Sequence, residues 1–242
     1  MSEWWTYRPS DFLLFSPRTY HRLFELMNGE LWPAPLLALG LGFALGAFAL
    51  RGGPAAARLV LAALAGCWLW VAWAFHLERY AAVNWAATWF AASFALEALL
   101  LLAHTAVGER GRWSAEDRAT RGVALSLLLL ALAGLPLIAR LLGRPWSQSE
   151  LFAMAPDPTA LATLAFLLLL PRRTGVPTRR GVAGWLSLAA WPIPVAWCLL
   201  TGLTLWTMDA ADAWVVPAAA GLALFVAVVD VRRRNAPAQA IR

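Results

Sequence analysis

Residues 122–142 read GVALSLLLLALAGLPLIARLL, an apolar run of 21 residues in which Arg140 is the one charged side chain. An α-helix rises about 1.5 Å per residue, so about 20 apolar residues are enough to cross the hydrocarbon core of a bilayer. Six further runs follow this pattern, and they cover residues 31–50, 55–76, 82–107, 158–170, 182–207 and 213–231. The sequence therefore predicts an all-α integral membrane bundle of seven transmembrane helices.

The composition of the 242-residue chain agrees with a membrane location, since 61% of its residues are hydrophobic and its mean hydropathy is +0.61. Soluble domains are about 45–50% apolar, so the excess needs a nonaqueous environment. The length suits one bundle, with an outer N-terminal segment at 1–30, a membrane domain at 31–231 and a basic cytoplasmic tail at 232–242. No cleavable signal peptide is visible, and we expect the first span to direct insertion.

All twenty basic residues are arginine, and most lie on one side of the predicted spans. The segments after spans one, three, five and seven hold 14 arginines, whereas the N-terminal segment and the other connections hold 6. Basic residues favour the cytoplasmic side, which predicts an outside N-terminus and a cytoplasmic C-terminus. The arginines flank apolar runs and form no continuous face, so nucleic acid is excluded as a partner and the lipid bilayer is favoured. The absence of lysine excludes a retinal Schiff base.

A short amphipathic helix is predicted before the first span. Ser16 is a favourable N-cap residue, and Pro17 is favourable at the first helical position. Four apolar side chains then recur at helical spacing, namely Tyr20, Leu23, Phe24 and Met27. This spacing predicts either a helix lying in the outer membrane interface or a cap packed on the outer end of the bundle.

Two of the predicted spans contain prolines. The fifth run is short, and it reaches normal length only if residues 151–155 are added, in which case Pro156-Asp157-Pro158 interrupts it. This pattern predicts either a broken helix or a re-entrant entry. In the sixth run, Pro192 and Pro194 predict a kink, because proline removes a backbone donor and clashes with the preceding turn. Interrupted membrane helices are typical of solute sites near the bilayer midplane, although simple kinking is the commoner outcome.

Glu97 lies midway along the third predicted span, where an ionised carboxylate is costly. Ser93 and His104 are four and seven residues away, so the three side chains share one face of a helix. Such a stripe could pass protons or bind a cation. The alternative is a protonated Glu97 that makes a structural hydrogen bond between helices.

Further polar and aromatic residues fall on the predicted outer side, including His76, Asn84, Asp157, Asp209 and Asp212. Oxygen and imidazole ligands suit divalent cations, but no compact metal motif is present. Of the fifteen tryptophans, nine lie in or near the predicted outer half, and two lie near the inner interface. An aromatic belt accounts for most of them, and their outer excess leaves room for an aromatic-lined outer pocket. The two cysteines are isolated within apolar runs, which argues against a disulfide framework or a thiolate metal cluster.

Several motifs together resemble one protein family. They are Ser16-Pro17 leading to Asn28 and Trp32-Pro33, Phe75-His76 leading to Asn84-Trp85-Ala86-Ala87, and Pro156-Asp157-Pro158-Thr159 before an apolar run. The chain resembles DUF6064, a bacterial multi-pass membrane family of unknown function, over nearly its whole length. This resemblance implies a bacterial inner-membrane location and gives no activity. It also implies that Asp157 and Glu97 depart from the family pattern, which typically has cysteine and glutamine at these two positions.

The candidate ligand-binding residues share an outer location in the predicted topology, and they are Trp32, His76, Asn84, Trp85, Asp157 and Thr159. They favour a small-solute or cation transporter or a channel-like protein, with Glu97 as a titrating group deeper in the membrane. The absence of a compact catalytic motif argues against an enzyme and leaves a second hypothesis, a non-catalytic subunit or assembly factor packed against other subunits or its own copies. A third hypothesis is a redox or haem protein, although His76 and His104 lie near opposite faces and cannot share one haem. The cofactor is left open.

Overall fold

The computed structural model describes residues 15–107, 118–169 and 182–235, and the regular secondary structure in these ranges is all helical. Outside these ranges lie residues 1–14 of the predicted outer segment, most of the loop after the third span, residues 170–181 and the tail from residue 236. The described ranges form eight helices, which are α1 (Pro17–Glu30), α2 (Ala34–Arg51), α3 (Pro54–Val71, continued by the π-helical turn Ala72–Leu77), α4 (Ala87–Val107), α5 (Arg118–Leu129, the π-helical Leu130–Gly134 and Leu135–Leu141), α6 (Pro156–Leu169), α7 (Val182–Ala189 and Pro192–Thr207) and α8 (Val215–Asn235).

Six of these helices are long and apolar enough to cross a membrane, namely α2, α3, α4, α5, α7 and α8. The seventh apolar helix, α6, has 14 residues. At about 1.5 Å per residue this gives a length of about 21 Å, which is shorter than the hydrocarbon core of about 30 Å. The seven apolar runs of the sequence thus fold as six candidate spans and one shorter helix, with boundaries close to those predicted.

The short helix α6 lies at the centre of the bundle. All 14 of its residues are buried, and it packs against α3, α5, α7 and α8. A helix that is apolar on every side is stable only when other elements surround it. Its first residue is Pro156, and the preceding residues 151–155 form a turn. The predicted interruption of a longer span by Pro156-Asp157-Pro158 is therefore wrong, because these prolines occupy the first turn of the helix, where no intrahelical donor is lost.

The predicted kink of the sixth run is confirmed, since α7 is interrupted at residues 190–191, immediately before Pro192. Two other irregularities have no proline inside them. They are the π-helical turns Ala72–Leu77 in α3 and Leu130–Gly134 in α5, which hydropathy did not indicate. Turns of this kind are rare and are often found at functional sites.

Helix α1 is a cap packed on one end of the bundle, which we call the capped end. The Ser16 hydroxyl accepts a hydrogen bond from the backbone N–H of Thr19 at 3.2 Å, which confirms the predicted N-cap. The four predicted apolar side chains are buried, and the ring of Phe24 stacks on Phe75 with centroids 5.1 Å apart. Asn28 Nδ2 donates to the backbone carbonyls of Ser147 and Ser149, both at 2.9 Å, and so fixes α1 to the α5–α6 loop.

The contact between α7 and α8 depends on Gly202. A Cβ atom at this position would lie 2.1 Å from Pro217 Cγ and 3.1 Å from the backbone oxygen of Ala213. We expect Gly202→Ala to destabilise the bundle by about 1–3 kcal/mol through overpacking. Gly221→Ala in α8 is the matched control, because nothing lies within 4 Å of its Cβ position. Thermal unfolding in detergent should give a lower Tm for Gly202→Ala alone, and an equal Tm for both variants would contradict this packing.

Candidate functional site

A cavity of about 320 Å³ lies at the capped end of the bundle. The start of α1, the α3–α4 turn, the first turn of α4 and the middle of α7 form its walls. Six of the lining side chains are aromatic, namely Phe15, Tyr20, Tyr80, Trp85, Phe90 and Trp197, and Asn84, Thr201 and Thr204 add polar groups. The volume is at the lower end of the range of about 300–1,000 Å³ that is typical of small-molecule sites.

The aromatic walls of the cavity are held by ring contacts. Phe90 meets Trp197 edge to face with centroids 5.4 Å apart, and Tyr80 lies 6.3 Å from Phe90. Behind this wall, the buried ring of His76 packs between Phe94 at 4.5 Å and Trp197 at 4.9 Å. Neither ring nitrogen of His76 has a hydrogen-bond partner among the described residues. His76 therefore supports the cavity wall from within and is not part of the lining.

Asp157 is buried one side-chain layer behind the cavity. Trp197 Nε1 and Thr201 Oγ1 both donate to Asp157 Oδ1, each at 2.7 Å. These two donors are one turn apart on α7, and both line the cavity. Asp157 also lies in the first turn of α6, where the helix dipole favours a negative charge. The carboxyl group is thus linked to the cavity wall and to the central helix at the same time.

Glu150, Asp157, Asp212 and Arg144 form a group that we call the carboxyl cluster. Arg144 Nη2 donates to Asp212 Oδ2, and Arg144 Nη1 lies 3.9 Å from Glu150 Oε1. Burial raises the pKa of Glu150 well above its ordinary value, the charge of Asp157 raises it further, and Arg144 opposes the rise. Asp212 and Glu150 share one guanidinium, and the neighbouring Asp157 adds a negative charge, which favours the proton-bound form of Glu150.

A narrow cleft of about 20 Å³ runs between members of the carboxyl cluster. Arg144, Glu150, Asp157 and Asp212 all line it, together with apolar side chains of α5, α7 and α8. A buried water needs about 10–15 Å³ and two to four polar partners. The cleft therefore has room for about one water molecule and is not a second solute cavity.

The candidate ligand residues fall into two groups. Asn84 and Trp85 line the cavity, and His76 and Asp157 lie directly behind it. Thr159 instead hydrogen-bonds within the turn before α6. Its hydroxyl donates to the Ala155 carbonyl at 2.7 Å and accepts from the Ala153 N–H at 3.0 Å.

Trp32 is also apart from the cavity. It lies in the α1–α2 connection and is 65% exposed. The structure thus brings four of the six candidates together and separates Trp32 and Thr159 from them.

The predicted stripe on α4 is only partly present. Glu97 and His104 are buried, and neither Glu97 oxygen nor His104 Nδ1 has a hydrogen-bond partner among the described residues. Ser93 is exposed, and its hydroxyl donates to the Trp89 carbonyl at 3.0 Å. Positions four apart on a helix differ in direction by about 40°, which is enough to move Ser93 past the edge of the buried face. Glu97 and His104 are about 10.5 Å apart along the helix axis and do not line the cavity.

Several residues of the site were not identified from the sequence. The cavity wall includes Tyr20, Tyr80 and Phe90, which the hydropathy pattern assigns only to packing. The spacing of Trp197 and Thr201 at i and i+4 could have indicated a shared face, but it does not reveal their common acceptor. Arg144 and Glu150 look like ordinary loop charges in the sequence, and only the tertiary fold buries them.

The chain was compared with known proteins. Residues 18–238 match the model described as "Family of unknown function (DUF6064)", which confirms the resemblance drawn from the sequence motifs. Neither the curated proteins nor the solved structures gave a significant match. Within the described ranges, no group of three or more His, Cys, Asp or Glu residues has the geometry to hold a metal ion.

His21 provides a test of the electrostatics beside the carboxyl cluster. Its Nδ1 lies 3.3 Å from Arg144 Nη1, and burial followed by the charge of Arg144 lowers the pKa of His21 to about 4, against the opposing effect of Asp212. The unfolded chain, with an ordinary pKa of about 6.5 for this group, binds more protons between these two values, so stability falls as the pH drops from about 6.5 towards 4.

We expect wild-type protein to lose about 2–4 °C more in Tm than His21→Gln when the pH is lowered from 7 to 5, after allowance for the partial exposure of His21. Thermal unfolding of both proteins in the same detergent measures this difference. Parallel losses of Tm in the two proteins would show that His21 is not held neutral by Arg144 and burial.

Proposed function

We propose that this chain, which belongs to the family DUF6064, is a multi-pass membrane protein that binds a small solute in the aromatic cavity and moves it, or a coupled cation, across the bilayer. The observation that carries the proposal is the double role of Trp197 and Thr201. Both side chains line the cavity, and both hold the buried Asp157. A solute that contacts these side chains can change the hydrogen bonds of a buried carboxyl group.

The fold around the cavity supports such coupling. The break of α7 at residues 190–191 lies immediately before the helical segment that carries Trp197 and Thr201. Helix α6 is short, and its first turn carries Asp157 inside the bundle. Discontinuous helices whose ends meet at a polar site are the arrangement that many transporters use for solute and ion binding.

The proposed orientation places the capped end and its cavity on the outer side of a bacterial inner membrane. It requires α6 to complete a seventh crossing, with the N-terminus outside and the C-terminus in the cytoplasm. The sorting of 14 arginines to one side and 6 to the other supports this orientation. If α6 does not complete a crossing, the six long helices would leave both termini on the same side.

Cysteine labelling of the termini distinguishes seven crossings from six. We expect a membrane-impermeant maleimide to label Ser10→Cys in intact cells and to label Gln239→Cys only after the membrane is permeabilised. The native cysteines Cys67 and Cys198 are buried, so the wild-type protein serves as the blank. Labelling of both positions from the same side would contradict the proposed topology.

The alternative hypotheses receive less support from the described contacts. The exposed tryptophans of the described residues are what a lipid-facing aromatic belt requires, so their exposure does not by itself indicate a partner subunit. The redox hypothesis depended on His76 and His104, and the ring of His76 is enclosed by aromatic side chains. We therefore retain solute binding as the proposed function.

Access of water-borne reagents to the cavity is the experiment that tests the function. Thr204 lines the cavity, whereas Leu203, the next residue on α7, is 55% exposed on the outside of the bundle. We expect a charged, membrane-impermeant thiosulfonate added outside to modify Thr204→Cys at least about tenfold faster than Leu203→Cys, because a thiol facing lipid is not reached by water. Equal, slow modification of both cysteines would mean that the cavity is closed to water, and the proposed function would fail.

A further inference from the structure

We propose that the aromatic cavity takes an organic ammonium cation whose nitrogen is fully or largely methylated. This inference rests on the proposed function of the cavity and names the class of solute. It follows from three independent features of the site, which are the aromatic lining, the distribution of charge behind it and the prior commitment of its hydrogen-bonding groups.

The lining provides a continuous set of aromatic rings. Successive centroids are 6.2 Å apart for Tyr20 and Tyr80, 6.3 Å for Tyr80 and Phe90, and 5.4 Å for Phe90 and Trp197. A cation interacts favourably with an aromatic ring when it lies within about 6 Å of the ring centroid, and tryptophan is the strongest partner. Because neighbouring rings are this close, one cation in the cavity can lie within reach of several of them.

The charge around the cavity favours a cation over an anion. Among the described residues, the lining contains no charged side chain. Behind it, the carboxyl cluster has three carboxyl groups and the single guanidinium of Arg144, which is already paired with Asp212. With Glu150 proton-bound, Asp157 and Asp212 carry two negative charges against the one positive charge of Arg144, and the charge of Asp157 reaches the lining, where it adds to the effect of burial in raising the pKa of the Tyr20 hydroxyl against the opposing effect of Arg144. An anionic solute would meet this field without a compensating cation.

The polar groups that line the cavity are already hydrogen-bonded and neutral, and among the described residues they include no carboxylate for a metal ion or a primary ammonium group. Asn84 Oδ1 accepts from the Ala86 N–H at 3.0 Å, Thr201 donates to Asp157, and Thr204 donates to the Leu200 carbonyl at 2.9 Å. A primary ammonium carries three donors that each need an acceptor, and small inorganic cations need several oxygen ligands. A methylated ammonium needs neither, since its charge is spread over methyl groups that pack against aromatic faces.

The test uses the Thr204→Cys protein with two thiosulfonate reagents that differ in charge, one bearing a trimethylammonium group and one bearing a sulfonate. Ser147→Cys, in the exposed part of the α5–α6 loop, corrects for the intrinsic reactivity of each reagent. After this correction, we expect the trimethylammonium reagent to modify Thr204→Cys about tenfold faster than the sulfonate reagent. A tenfold ratio corresponds to about 1.4 kcal/mol, within the range of about 0.5–2 kcal/mol for a cation–π contact.

Protection measurements identify the class of solute more directly. Tetramethylammonium and choline should slow the modification of Thr204→Cys by either reagent. The neutral carbon isostere of choline should require an about tenfold higher concentration for the same protection.

Phe90→Leu should weaken the protection by choline several-fold, since it removes a lining ring without removing a donor to Asp157. Trp206→Leu is the matched control, because Trp206 is an aromatic residue on the helix that carries Thr204, is 48% exposed and is not among the residues that line the cavity. In the Trp206→Leu control, choline should protect Thr204→Cys from modification as well as it does in the protein that carries Thr204→Cys alone.

The outcomes separate the inference from the proposed function. If Thr204→Cys reacts readily with both reagents at equal corrected rates, and choline protects no better than its neutral isostere, the cavity is open but does not select cations, and this inference is overturned. If neither reagent reaches Thr204→Cys, the proposed function fails with it. If protection by choline is the same in Phe90→Leu and Trp206→Leu, the aromatic wall is not what holds the cation, and the inference is overturned as well.

Discussion

The fold depends on the hydrogen bonds that the carboxyl group of Asp157, in the first turn of α6, accepts inside the protein. This helix is buried along its whole length, so Asp157 at its start has no access to bulk water. A buried carboxyl group needs hydrogen-bond donors, and Trp197 and Thr201 provide them from α7. The position of α7 against α6 is therefore fixed by polar contacts, in a bundle whose other contacts are mostly apolar. Removing both donors would leave Glu150 as the remaining hydrogen-bond partner of this buried acid.

The same contacts explain why the cavity and the carboxyl cluster lie together. Trp197 and Thr201 have one side toward Asp157 and the other toward the cavity, so the wall of the cavity is also the support of the acid. Helix α1 covers this region through Asn28, and the imidazole of His21 lies beside Arg144. A solute in the cavity would thus contact the groups that determine where a proton is held in the cluster. This connection is the physical basis of the proposed transport function.

The helices could be predicted from the sequence because their signals are local. Apolar runs gave the boundaries of the long helices to within a few residues, Ser16 and Pro17 gave the start of α1, and Pro192 gave the break in α7. The Pro156-Asp157-Pro158 motif was interpreted as a break because proline can either interrupt a helix or begin one, and only the turn at residues 151–155 decides between the two. The short length of α6 was visible in the sequence, but its central position was not.

The site was predicted less completely, because its geometry depends on contacts between distant segments. His76, Asn84, Trp85 and Asp157 could be grouped by side of the membrane, and the fold brings them to one cavity. The hydrogen bonds from α7 to Asp157 join residues 40 and 44 positions apart, and no local pattern reveals them. Ser93 was assigned to the wrong surface because the edge of the buried face of α4 depends on how closely its neighbours pack.

The carboxyl cluster holds a proton at Glu150, because Glu150 shares the one guanidinium with Asp212 in a buried site beside the charge of Asp157. Infrared spectroscopy of the membrane-reconstituted protein at neutral pH tests this directly, with Glu97→Gln as the background to remove a buried acid outside the cluster. We expect a protonated carboxyl C=O band that disappears when Glu150→Gln is added to this background. A spectrum in which Glu150→Gln removes only ionised carboxylate bands would contradict the account.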